Sequence, residues 1–177
     1  MLRRMKSSLK LFPFDTVSTV VNSFIISRID YYNSLLANSS QCALNWLQRV
    51  MNAAARLLCH SGRRASVSGL LHDRLHWLRV PECVEYKVCL LVFKALHGMA
   101  PNYLSELCRP NAEDTARSRL SSAARGDLQV PRSKTNFGSS AFAVAGPMFC
   151  NRFPPEIRAN DLLQSFKSQL KTYYFWL

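Results

Sequence analysis

The chain has 177 residues, 48% of them hydrophobic, and a formal net charge of +12 with a pI near 9.9. That apolar content excludes wholesale disorder and fits one domain, or a domain with an appendage. Of the 23 basic residues 16 are Arg and 7 are Lys, and the planar guanidinium fork matches phosphate, so the bias leans toward nucleic acid over a surface charged only for solubility.

The lead-in MLRRMKSSLKLFPF is basic, contains serine and lacks acids. It has the composition of a mitochondrial presequence, but reads better as the entry to a first helix. Asp15 or Thr16 is the expected cap of a helix running to about Ala37, with Val17, Val20, Val21, Phe24, Ile25 and Ile29 at helical spacing. After the polar turn NSSQ, CALNWLQRVMNAAARLLC makes a second helix. Leu44, Leu47, Met51, Ala54 and Leu58 form its apolar stripe, while Asn45, Arg49, Asn52 and Arg56 collect on the opposite face without an acid. Trp46 and Trp77 are assigned to the core, with base stacking as the alternative.

HSGRRASVSG reads as a basic loop and LLHDRLHWL as a short helix. Pro81 suits a helix start, Gly98 a helix end, and Pro101 blocks continuation. The helix between them is apolar on most sides, which marks a central core element. PNYLSELC adds a short helix. Residues 109–127 lack periodicity and read as a basic linker or exposed loop; 128–138 has room for two short extended pieces, and SSAFAVAGPMFCNRFPP for a helix interrupted at Gly146-Pro147. The end of the chain is an amphipathic helix with Leu162, Phe166, Leu170, Tyr173 and Leu177 on one face.

Catalytic signatures are missing. The aspartates are scattered and the one acidic doublet, Glu113-Asp114, lies in the expected linker, so no two-metal carboxylate cluster is expected. His72 and His76 have helical i, i+4 spacing but lack the glutamate of a metalloprotease motif. No GxSxG elbow and no Gly-rich phosphate loop occurs. The six cysteines, at 42, 59, 83, 89, 108 and 150, contain no CxxC pair and read as reduced, mostly packed thiols. The apolar stretch TVSTVVNSFIIS is broken by polar residues and is shorter than the ~20 residues a membrane span needs.

Four stretches carry a resemblance: SRIDYYNSLLA, LQRVMNAAARLL, LHWLRVPECVEYKVCLLVFKALHGMAPNYLSEL, and VPRSKTNFGSSAFAVAGPMFCNRFPPEIR followed by SFKSQLKTYYF. In this order and spacing they resemble the C-terminal end of the polyprotein of LINE-type, non-LTR retrotransposons of the jockey-like group, over almost the whole chain. The resemblance implies a segment that begins in or near the reverse transcriptase thumb. The catalytic-aspartate motif of that polymerase is absent here, so the implied contribution is to hold RNA or DNA, not to polymerise. Two departures stand out: FCNRFP has Cys150 where the family has tryptophan, and IDYYNSLL has Tyr32 where cysteine is common.

These readings give an all-α protein: a thumb-like helical bundle over 1–108, a basic linker or loop over 109–127, and a small helical appendage over 128–177. The expected function is non-catalytic nucleic-acid binding. The expected contacts are Arg49, Asn52, Arg56, Arg63, Arg64, Arg117, Arg119, Arg125, Arg132 and Lys134, gripping phosphates in a salt-sensitive way. No cofactor, metal or membrane is expected, and the compartment is nuclear or cytoplasmic. The alternative is a protein-interaction or remnant fragment, whose apolar surface would meet the missing palm domain or a second copy.

Overall fold

The structure is a computed structural model that describes residues 12–31, 33–62, 64–113, 119 and 121–176. The fold is all-α. Among the described residues no strand occurs, and the extended pieces expected in 128–138 reduce to an isolated bridge between Pro110 and Leu128. The chain divides into two compact units, one of residues 1–33 and 40–83, the other of residues 34–39 and 84–177. The division falls within the helix Val80–Leu96.

In the first unit, α1 (Phe14–Val21) runs through a π turn (Asn22–Ile26) into α2 (Ser27–Tyr31). Pro13, not Asp15 or Thr16, occupies the cap position. The helix ends at Tyr31, short of Ala37, and a 3-10 turn (Asn33–Leu36) follows. The π turn spends one extra residue per turn and rotates the stripe. Val17, Val21 and Ile29 are therefore buried, whereas Phe24 is 64% exposed. α3 (Gln41–Leu58) starts at Ser40, whose Oγ accepts the Ala43 N–H at 3.4 Å. It closes with His60 in the left-handed region (φ 49°) and the Ser61 N–H bonded to the Arg56 carbonyl at 3.0 Å. Val17, Val21, Ala54, Leu57 and Leu58 form the core here, with Ile25, Ile26, Leu75 and Trp77 packed against it.

The stretch Leu70–Arg74 is a π turn, and His76 adopts φ 50° beyond its end. His72 and His76 therefore do not share one regular helix face. α4 (Val80–Leu96) opens with Glu82 reaching back to accept the Arg79 N–H at 2.8 Å, half of a capping box. The buried Val80 N–H is taken by the Gln48 side-chain oxygen at 2.8 Å. Gly98 (φ 68°) ends α4, and the Met99 N–H bonds to the Lys94 carbonyl at 2.8 Å.

In the second unit, the α4 residues Val88, Cys89, Val92, Phe93 and Ala95 are buried. α5 is Asn102–Ser105. The segment expected as a linker is pinned at both ends. The Asn111 N–H bonds to the Asp127 carbonyl at 2.9 Å, the Gln129 N–H to the Arg109 carbonyl at 2.8 Å, and the Asn151 side chain bonds both backbone groups of Leu128. Between these ties lie a 3-10 turn (Asn111–Glu113) and α6 (Ser121–Ala124). α7 (Asn136–Ser139) precedes α8 (Phe142–Cys150), which runs through Gly146-Pro147 without interruption. Proline's fixed φ is helical and it withholds only one N–H, so a short packed helix tolerates it. α9 (Pro155–Arg158) leads to α10 (Leu163–Phe175), which buries Phe166, Leu170 and Tyr174 and leaves Leu162 exposed. The buried face is thus one position off the expected one at its end; Leu177 lies outside the described residues. Phe166 stacks on Phe93 at 4.4 Å, and Phe153 meets Tyr173 and Tyr174 edge-on.

Candidate nucleic-acid interface

α3 turns Met51, Ala54, Ala55, Leu57 and Leu58 inward, which leaves Asn45, Trp46, Arg49 and Ala53 on its outer side. No acid lies anywhere in this helix. The Arg49 guanidinium sits 5.1 Å from the centroid of the Trp46 ring. Trp46 is 63% exposed, so its assignment to the core is corrected, while Trp77 packs against the core as assigned. The spacing held the signal: Trp46 precedes Arg49 by three residues, the separation of neighbours on a helix face, and falls off the Leu44–Leu47–Met51 stripe. An exposed indole with a cation at its ring offers a flat surface and a positive charge together, the two groups that grip an unpaired base and its phosphate.

The other expected contacts on this unit divide. The Asn52 side-chain oxygen accepts the Gln48 amide at 2.8 Å, one link from the capped N–H of Val80. Arg56 is half-buried; its Nη2 donates to the Ala65 carbonyl at 3.5 Å, and its buried Nε has no protein acceptor. It ties Ala65 to α3 and is not an arm held out to solvent. Arg64 is exposed, and Arg63 lies outside the described residues.

On the second unit Arg119, Arg125, Arg132 and Lys134 are exposed, and Arg117 lies outside the described residues. Arg125 is partly neutralised by Asp127 at 3.2 Å. Asp127 is also held by Arg158 at 2.6 Å, with both side chains largely buried. Arg132 and Lys134 lie in the exposed stretch before α7, and among the described residues neither forms an ion pair with an acid.

Among the described residues no group of three His, Cys, Asp or Glu side chains gathers to hold a metal ion. His72 Nδ1 lies 3.1 Å from the Asp73 carboxylate. No helix among the described residues is long and apolar enough to cross a membrane. No protein-family model, curated protein or solved structure matches the chain.

Proposed function

We propose that the chain is a non-catalytic nucleic-acid-binding segment, derived from the thumb and post-thumb region of a non-LTR retrotransposon reverse transcriptase, acting in the nucleus or cytoplasm. The observation that carries the binding role is the Arg49–Trp46 pair on a helix face without acids. Arg49 supplies a phosphate contact beside the indole, Arg64 adds charge on the same unit, and Arg119, Arg132 and Lys134 add charge on the second unit. The retrotransposon origin rests on the sequence resemblance.

The test is fluorescence anisotropy of the full chain with structured RNA and with duplex DNA at 50 and 200 mM salt. Some five phosphate contacts predict a slope of about −4.5 in log affinity against log salt, roughly a 500-fold loss over that range. Trp46→Ala should weaken binding by about 1–3 kcal/mol if a base stacks there. Arg49→Glu with Arg64→Glu should weaken it further. A folded chain with no affinity at low salt would refute the proposal.

A second reading, a protein-interaction or remnant fragment, draws support from apolar side chains left in solvent. Phe12, Phe14, Phe24 and Tyr31 are exposed along the first helix. In the second unit Leu35, Leu91, Leu104 and Phe137 line an apolar groove of about 420 Å³. Light scattering behind size-exclusion chromatography separates the two readings: a clean monomer that binds nucleic acid counts against the second.

A further inference from the structure

α4 and α8 run against each other in opposite directions, and their facing residues can be read off in order. A Cβ on Gly146 would lie 2.8 Å from Val92 Cγ2, so the backbones approach closely there. Toward the start of α4, Glu85 Oε1 meets Arg152 Nη1 at 3.5 Å, and its other oxygen accepts the Tyr174 hydroxyl at 3.1 Å. Cys89 lies between Glu85 and Val92 on α4, and Cys150 lies between Gly146 and Arg152 on the other chain segment. The two contacts on either side leave these cysteines opposite each other. Cys89 lies close enough to Cys150 to respond to its charge. Cys89 is fully buried and Cys150 is 7% exposed.

We propose that Cys89 and Cys150 form an oxidative modification site, a dithiol that hydrogen peroxide converts to a disulfide joining α4 to α8. One sulfur, as thiolate, attacks the peroxide; an S–O bond forms, the O–O bond breaks and hydroxide leaves. The second thiol then attacks the sulfenic sulfur; the S–S bond forms, the S–O bond breaks and water leaves. Two thiols and one peroxide give one disulfide and two waters, each sulfur surrendering one electron to the peroxide oxygens. Burial and the neighbouring thiol and carboxylate hold the Cys89 proton on, so the first step is slow and the exposed Cys42 reacts earlier. The pairing favours the disulfide over further oxidation, because the resolving thiol lies opposite the attacked sulfur.

Cys108 is the competitor. It is buried and close enough to Cys150 to respond to its charge, but no flanking pair of contacts sets it opposite Cys150. The test uses the wild-type full chain, so it does not depend on a variant that folds. The chain is oxidised with hydrogen peroxide, free thiols are alkylated in denaturant, and peptides are mapped without reduction. The expected product joins the Cys89 and Cys150 peptides, two hydrogens lighter than their sum, and disappears on reduction. Oxidation in denaturant should instead scatter the cross-links over the six cysteines. A Cys108–Cys150 link as the main product would overturn the proposal. So would full recovery of alkylated Cys89 and Cys150 once Cys42 is oxidised completely.

Discussion

Gly146→Ala tests the packing of α8 on α4. At an exposed helix position the exchange would stabilise by about 1 kcal/mol, because alanine loses less backbone freedom on folding. Gly146 is buried, and the new methyl would lie 2.8 Å from Val92 Cγ2 and 3.5 Å from Phe142 Cε2. Valine is branched at Cβ and has little rotamer freedom in a helix, so Val92 cannot swing aside. Overpacking of this kind costs about 1–3 kcal/mol and offsets the propensity gain. The expected net loss is about 1 kcal/mol, roughly 2–4 °C in Tm for a chain of this size. Urea titration should show a lower midpoint at unchanged m. The decisive form is a double-mutant cycle with Val92→Ala. In that background the clash is gone and Gly146→Ala should be neutral or stabilising, a coupling of about 1–2 kcal/mol. A Gly146→Ala protein as stable as wild type, or equally destabilised in both backgrounds, would refute the close approach.

Asp127→Ala should cost about 3 kcal/mol in urea unfolding, since it leaves the buried Arg158, whose Nε already has no protein acceptor, without its carboxylate. A loss under about 0.5 kcal/mol, the range of ordinary surface changes, would mean the pair is solvated. Gln48→Leu keeps the side-chain bulk but orphans the buried Val80 N–H, at a cost of about 1–3 kcal/mol; Gln48→Glu, which keeps an acceptor oxygen, should recover most of it. Burial pushes the Cys108 thiol from its ordinary 9.0 up to about 11. The unfolded thiol then ionises before the folded one, so this group's stabilising effect is intact below pH 9 and is lost as pH rises toward 11. Cys89 and Tyr174 shift upward too, chiefly through burial, and act in the same direction. The urea midpoint should fall over that window, and less so in Cys108→Ala; identical profiles for the two proteins would contradict the shift.

Local chemistry made the ends of α4 legible. A proline in its first turn, a glycine in the left-handed position and a proline just beyond act within a few residues of the backbone they shape. The π turn in the first helix was not legible in the same way. Its apolar residues fit a regular helix, and only burial of Val17 and Val21 against α3, and of Ile29 further on, decides where the extra residue is accommodated. The segment 109–127 reads as a linker because the ties at its two ends come from residues distant in sequence. Asp127, Gln129 and Asn151 tie down a stretch that has no periodicity of its own. At the candidate interface the arginines were visible but the indole was not. Trp46 counts as apolar by residue type, whereas its position three residues before Arg49 sets it on the polar side of α3.

Arginine content by itself overstates the surface available to a phosphate. Arg56 holds the Ala65 carbonyl, Arg158 is buried against Asp127, and Arg152 pairs with Glu85 while lying 5.4 Å from the Phe149 ring. Each of these guanidiniums has several donors and a flat face, the same properties that suit phosphate, committed here to carbonyls, carboxylates and rings. Arg49 differs in that its cation lies at an exposed aromatic ring and not at an acid. An ion pair within the protein must be given up before a phosphate can replace it, but a cation beside an exposed ring can take a phosphate on its outer side with the ring contact intact. The strength of a candidate site on this chain therefore follows from what each arginine already holds, which is why the Trp46–Arg49 face outweighs the arginines already committed to partners within the protein.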